Sequence, residues 1–146
     1  MSVDVSTSIV IARPRREVFA YAADLDRTTS WYRNISSVEW RTPRPLAIGS
    51  RVTFTASFLG RELTYTYEVR DLVPGERLVM STEEGLFPME TTYTWEDEVG
   101  DATRMTLRNR GQPSGFGNMA APMMARAMRR ATRKDLELLK RSIEAG

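Results

Sequence analysis

The strongest constraint on this chain is a period of two that recurs through its middle and then gives way to a period of 3.6. Residues 51–58 alternate Val52, Phe54, Ala56 and Phe58 against Thr53, Thr55 and Ser57. Residues 62–72 alternate Leu63, Tyr65, Tyr67 and Val69 against Thr64, Thr66, Glu68 and Arg70. Residues 89–96 set Met89, Thr91, Tyr93 and Trp95 against Glu90, Thr92, Thr94 and Glu96, and residues 103–110 turn Met105 and Leu107 inward. Such alternation marks strands with one buried face. Shorter runs at 2–11, 35–41 and 77–82 read as strands too. Leu59-Gly60-Arg61, Pro74-Gly75 and Gly100-Asp101 supply turns between them. From residue 35 onward no helix-length crossover separates the runs, so the pairing is expected to be antiparallel.

Two helical stretches flank this block. Pro14 suits the first turn of a helix, and Val18, Phe19, Tyr21, Ala22 and Leu25 follow at helical spacing. Asp24 and Asp26 break it, and Thr28 or Thr29 caps a second short helix carrying Trp31 and Tyr32. From about Asn118 to Glu144 the apolar stripe is Met124, Met128, Ala131, Leu136, Leu139 and Ile143, with most arginines and lysines off it. At about 1.5 Å per residue this helix would run roughly 40 Å. Only it is long enough to cover the apolar face of the sheet. The expectation is one α+β domain over residues 1–146. A curved antiparallel sheet of six or seven strands would wrap a long C-terminal helix, with two short helices after the first strand. A strongly twisted sheet curls, so a straight helix laid across it leaves space beside it.

Composition removes several classes of function. The 146 residues include no cysteine and no histidine. Serine–histidine and cysteine–histidine catalysis are therefore excluded, and so is a thiolate metal site. No metal or cofactor is called for. No apolar run approaches the roughly 18 residues of a membrane span. The N-terminus has no basic stretch followed by an apolar block, so no secretory signal is expected and the cytoplasm is the expected compartment. A net charge of +2 does not argue for nucleic-acid binding. The arginine-rich face of the last helix reads as the solvated side of an amphipathic helix.

The candidates for lining the space are the inward residues of the strands and the helix stripe. They are Phe54, Phe58, Tyr65, Tyr67, Met89, Tyr93, Trp95 and Met105, with Met124 and Met128 from the helix. Trp31 joins them from the kinked helix pair. Methionine adapts to irregular apolar sites, and a buried tyrosine hydroxyl can orient a ligand. The same side chains would equally serve as plain core. Asn109, on the face of Met105 and Leu107, is the strongest polar candidate, because a buried amide needs partners. Glu90, Glu96, Arg108 and Arg110 are placed outward, and Glu17 reads as a helix-start carboxylate. The glycine-rich stretch Gly111–Gly117 lacks a phosphate-loop pattern and is read as a loop gating the space.

A family resemblance adds to this reading. Arg13-Pro14, Glu17 to Tyr21, Asp24 and Trp31 carry its first part. Ile48 to Arg51, Val73 to Leu78, Thr91 to Glu96, Thr103 to Thr106 and the helix from Leu136 to Lys140 carry the rest. In this order the chain resembles the polyketide cyclase/dehydrase branch of the START-related superfamily, also called SRPBCC, over nearly its whole length. The resemblance implies the helix-grip fold of the major birch pollen allergen and an interior pocket for lipids, polyketides or quinones. Three functions stay open: a carrier or sensor of a hydrophobic or aromatic small molecule, a polyketide cyclase or dehydratase, and an interaction protein using the basic helix. Either a monomer or a homodimer is expected.

Overall fold

In the computed structural model, residues 3–58, 60–84, 88–112 and 121–146 are described, apart from the side chains of Phe58 and Ala121. The alternating runs form seven strands: β1 Val3–Ile11, β2 Ile35–Trp40, β3 Arg51–Phe58, β4 Arg61–Val73, β5 Arg77–Thr82, β6 Met89–Glu98 and β7 Ala102–Gly111. All pair antiparallel in the order β1-β7-β6-β5-β4-β3-β2. Consecutive strands are neighbours from β2 to β7, as short connections require. The β6–β7 turn holds both Gly100 and Asp101 at positive φ, a backbone state that glycine and aspartate tolerate best. β1 and β2 are the two edges of the sheet.

Between β1 and β2 lie α1 (Arg15–Ala22), a 3-10 turn (Leu25–Arg27) and α2 (Thr28–Trp31). Asp24 caps the turn by accepting the Asp26 amide. The C-terminal helix, α3, runs Ala121–Ala145. Residues 118–120 of the expected helix lie outside the described residues, as do 113–117 of the expected loop, while Gly111 ends β7. No helix among the described residues is long and apolar enough to cross a membrane.

The sheet curves because its strands twist and because β4 and β2 carry register irregularities, between Val69 and Asp71 and between Ile35 and Ser37. Its outer face is polar. Thr53 and Thr66 hydroxyls lie 2.7 Å apart, and Arg108 and Arg110 pair with Asp4 and Glu90 across strands. Its inner face meets α3 in two patches. Leu136, Leu139 and Ile143 join Val52, Val69, Leu78, Trp95, Met105 and Leu107 in the main core. Met124 and Met128 join Val3 and Val5 in a second, smaller cluster. At the C-terminal end of β1, Lys140 Nζ donates to the Val10 carbonyl (2.7 Å) and the Ala12 amide donates to Glu144 Oε2 (2.7 Å).

Leu139 has no solvent exposure. Truncation to alanine is expected to cost about 2–5 kcal/mol through lost transfer energy and residual cavity. Urea unfolding should show this as a lowered midpoint at unchanged slope. Truncation of the half-buried Leu138 should cost less.

Candidate functional site

Between the two patches, the stretch of α3 from Met128 to Asp135 faces the concave sheet without filling it. A cavity of about 140 Å³ results, close to the roughly 150 Å³ that admits a benzene ring in an engineered protein core. Residues two apart on each strand line it: Phe54 and Ala56 on β3, Leu63, Tyr65 and Tyr67 on β4, Met80 and Thr82 on β5, and Met89, Thr91 and Tyr93 on β6. Asn109 closes it from β7, Thr28, Tyr32, Asn34 and Ile35 from the α2–β2 junction, and Met128, Ala131, Thr132 and Asp135 from α3. Among the lining residues Asn34, Ser57 and Glu84 are exposed, and they mark its mouth.

The aromatic wall is continuous. Phe54, Tyr65 and Tyr67 contact one another with ring centres 5.5–6.2 Å apart, an edge-rich arrangement that favours aromatic rings as neighbours. Several of the polar groups are ordered by bonds among themselves. The Thr91 hydroxyl donates to Asn109 Oδ1 (2.6 Å). Its single proton is thereby committed, so Tyr67 is the donor in the 2.9 Å contact with Thr91. Tyr32 and Tyr93 share a hydroxyl–hydroxyl bond of 2.6 Å. Burial pushes the Tyr67 hydroxyl up to about 12 and those of Tyr65 and Tyr93 higher still, and it raises that of Tyr32 well above its ordinary value. At neutral pH all four are uncharged, so they can donate a hydrogen bond but not act as standing bases.

Asp135 differs in kind. It is 4% exposed, and its Oδ1 accepts the Arg33 backbone amide at 3.0 Å. Burial raises its carboxyl to about 6, an effect that the Arg33 amide and guanidinium oppose only in part. Its charge reaches the Tyr32 and Tyr93 hydroxyls and raises both. A carboxyl that titrates near neutrality in a cavity can give or take a proton there.

Seven of the residues expected at the site line the cavity: Phe54, Tyr65, Tyr67, Met89, Tyr93, Asn109 and Met128. Four do not. Trp31 packs behind the wall, 4.3 Å from Tyr32 and 5.9 Å from Tyr93. Trp95 lies edge-on to Phe19 of α1 at 5.0 Å, and its ladder partner Met105 is buried with it in the main core. Met124 belongs to the second cluster. Alternation names the face of a strand but not how far along it the open space extends. Trp95 is on the right face, two residues beyond the cavity. The Phe58 side chain lies outside the described residues. Glu17 is exposed in the first turn of α1.

Sequence reasoning did not single out Asp135, Thr132, Thr91 or Met80. A signal for Asp135 was present: it stands seven residues after Met128 and four after Ala131, on the apolar stripe of α3. A carboxylate on a buried stripe is expensive unless it has a task.

Residues 2–144 match the family described as polyketide cyclase / dehydrase and lipid transport. The chain belongs to this family. Among solved structures it is similar to TTHA0849 from Thermus thermophilus (20% identity, 97% of each chain covered, TM-score 0.82). It is also similar to the Zhui aromatase/cyclase from a Streptomyces species (17% identity, 99% of this chain and 94% of that one, TM-score 0.80). A START superfamily protein from Mycobacterium smegmatis shares the architecture (11% identity, 97% of each chain, TM-score 0.84). No curated protein sequence matches the chain significantly. The fold is thus the START-like helix-grip, with the sheet, short helices and long C-terminal helix that the strand pattern predicts.

The raised Asp135 carboxyl sets a pH dependence. Its proton is held more tightly folded than unfolded, so the contribution of this group to stability is fully present below pH 3.8 and is lost as pH rises through about 6. The shift corresponds to about 1–3 kcal/mol. Asp135→Asn keeps an oxygen for the Arg33 amide and removes the charge. The variant should melt higher than wild type at pH 7.5 and at nearly the same temperature at pH 4.

Proposed function

We propose that the chain binds a small hydrophobic, aromatic molecule in this cavity, as a carrier or sensor. The observation that carries the reading is the lining itself: five aromatic rings and three methionines around a space of benzene size, with Tyr32, Tyr67, Thr91, Tyr93 and Asn109 bonded among themselves. A preformed, mostly apolar pocket with a few oriented polar groups is what ligand sites offer. The family's description, which includes lipid transport, supports it. Phe54, Tyr65, Tyr67, Met89, Tyr93, Asn109 and Met128 are the contacts we assign to the ligand. Native mass spectrometry of protein purified from its own host should show a co-purifying apolar compound. A small apolar fluorophore should bind the wild type, and Ala131→Phe, which fills the space from α3, should lower that affinity at least tenfold while the melting temperature holds. A wild type that binds neither a host compound nor the fluorophore would refute the reading.

A second reading is a polyketide cyclase or dehydratase that uses the same cavity, and one observation favours it. Asp135 titrates near neutrality inside the cavity, close to the Tyr32–Tyr93 pair, a pairing suited to proton transfer at a confined carbonyl. The similar aromatase/cyclase supports this reading through fold alone. Incubation with a polyketide-like chain separates the two proposals. Turnover that drops at least 100-fold in Asp135→Asn and falls in Tyr93→Phe indicates an enzyme; substrate recovered unchanged indicates a carrier.

A further inference from the structure

The charges around the cavity are one-sided. Its lining contains two carboxylates, Glu84 at the mouth and Asp135 inside, and no lysine or arginine. The residues outside the described set (1–2, 59, 85–87 and 113–120) include no lysine or arginine either. The Arg33 guanidinium, which acts on Asp135 through space, belongs to an exposed residue that does not line the cavity. Cations are abundant elsewhere: α3 carries Arg126, Arg129, Arg130, Arg133 and Lys134 on exposed positions within nine residues of Asp135. The inward side of the same helix presents a carboxylate instead.

Asp135 is also incompletely bonded. Among the described residues its only hydrogen bond is the one from the Arg33 amide to Oδ1. Thr132, one turn earlier on the same wall, makes no side-chain hydrogen bond among the described residues and is buried. The charge that acts on this carboxylate, the Arg33 guanidinium, is on an exposed residue and offsets its burial only in part, so an opposite charge placed beside it inside the cavity is favoured. The same cavity is lined by Tyr32, Tyr65, Tyr67, Tyr93 and Phe54, and aromatic rings attract cations over their faces. The tyrosine hydroxyls stay uncharged, so they neither repel a cation nor supply one.

We infer that the cavity selects an aromatic ligand bearing a protonated amine, with the ammonium held between Asp135, the Thr132 hydroxyl and the tyrosine rings. This rests on the reading of the cavity as a ligand site. The selection is by sign as much as by shape. A carboxylate ligand of equal size, such as a short aryl acid, would bring a second negative charge into a space with no cation to meet it, so it is rejected. Fatty-acid anions are excluded from the interior on the same ground.

Three probes of matched size test this by calorimetry at pH 7.5: 2-phenylethylamine, 2-phenylethanol and phenylacetate. The amine is expected to bind at least tenfold tighter than the alcohol, with phenylacetate weakest. Asp135→Asn should cost the amine at least tenfold and change the alcohol less than threefold. A measurement on the wild type alone stands beside the variant: the carboxyl carbon resonance of Asp135 should move on saturation with the amine and stay within a small fraction of that shift with the alcohol. Phenylacetate binding as tightly as the amine, an Asp135→Asn variant that binds the amine unchanged, or an Asp135 resonance that ignores the amine would each overturn the inference. The alcohol matching the amine in both proteins would overturn it while leaving the small-aromatic reading intact. Failure of all three probes to bind would remove that reading and this one together.

Discussion

The structure depends on an incomplete contact: one straight helix laid across one curved sheet. Burial of apolar area drives the two together, but a straight element cannot follow a concave one along its length. α3 resolves the mismatch by touching the sheet at both ends, through Leu136, Leu139 and Ile143 at one and Met124 and Met128 at the other. What lies between is space. The cavity therefore needs no special device to create it. It follows from the twist of the strands and the stiffness of a helix of 25 residues.

The walls of that space show how environment sorts similar side chains into different roles. Tyr32, Tyr67 and Tyr93 have each found a hydroxyl partner, which satisfies buried oxygens and fixes ring orientation. Asp135 has not been satisfied to the same degree, and its carboxyl sits at a free-energy cost that its own helix could have avoided with a leucine. Sites of function are where such local costs are retained. The same carboxyl links α3 to the α2–β2 junction through the Arg33 amide, so the one buried carboxylate of the lining also ties two of its walls together.

Most of the architecture was legible in the sequence because its causes are local. Alternation in residues 51–58 and 89–96 fixed both strand and face, and Gly100-Asp101 fixed a turn. Strand ends shifted by a residue or two, since β6 runs on to Glu98 and β4 to Val73. The site was less legible because its boundary is not local. Trp95 and Tyr93 share a face, a strand and an aromatic character, yet only Tyr93 borders the cavity, since Phe19 of α1 packs against the other. Where a helix from elsewhere in the chain comes to rest decides which inward residue is core and which is wall. Asp135 was overlooked for a different reason: the stripe of α3 was traced through its apolar members, and the one charged residue in phase with them is the one that carries information.

The ties between α3 and the end of β1 have a consequence for how the molecule behaves among its own kind. β1 is an edge strand, and an edge strand with free amides and carbonyls is a template for a strand from another molecule. Lys140 and Glu144 occupy the Val10 carbonyl and the Ala12 amide with side-chain atoms, so this edge ends in a lid of charge instead of a ladder open to extension. The helix that leaves a vacancy inside the protein thus also closes off the end of its border strand.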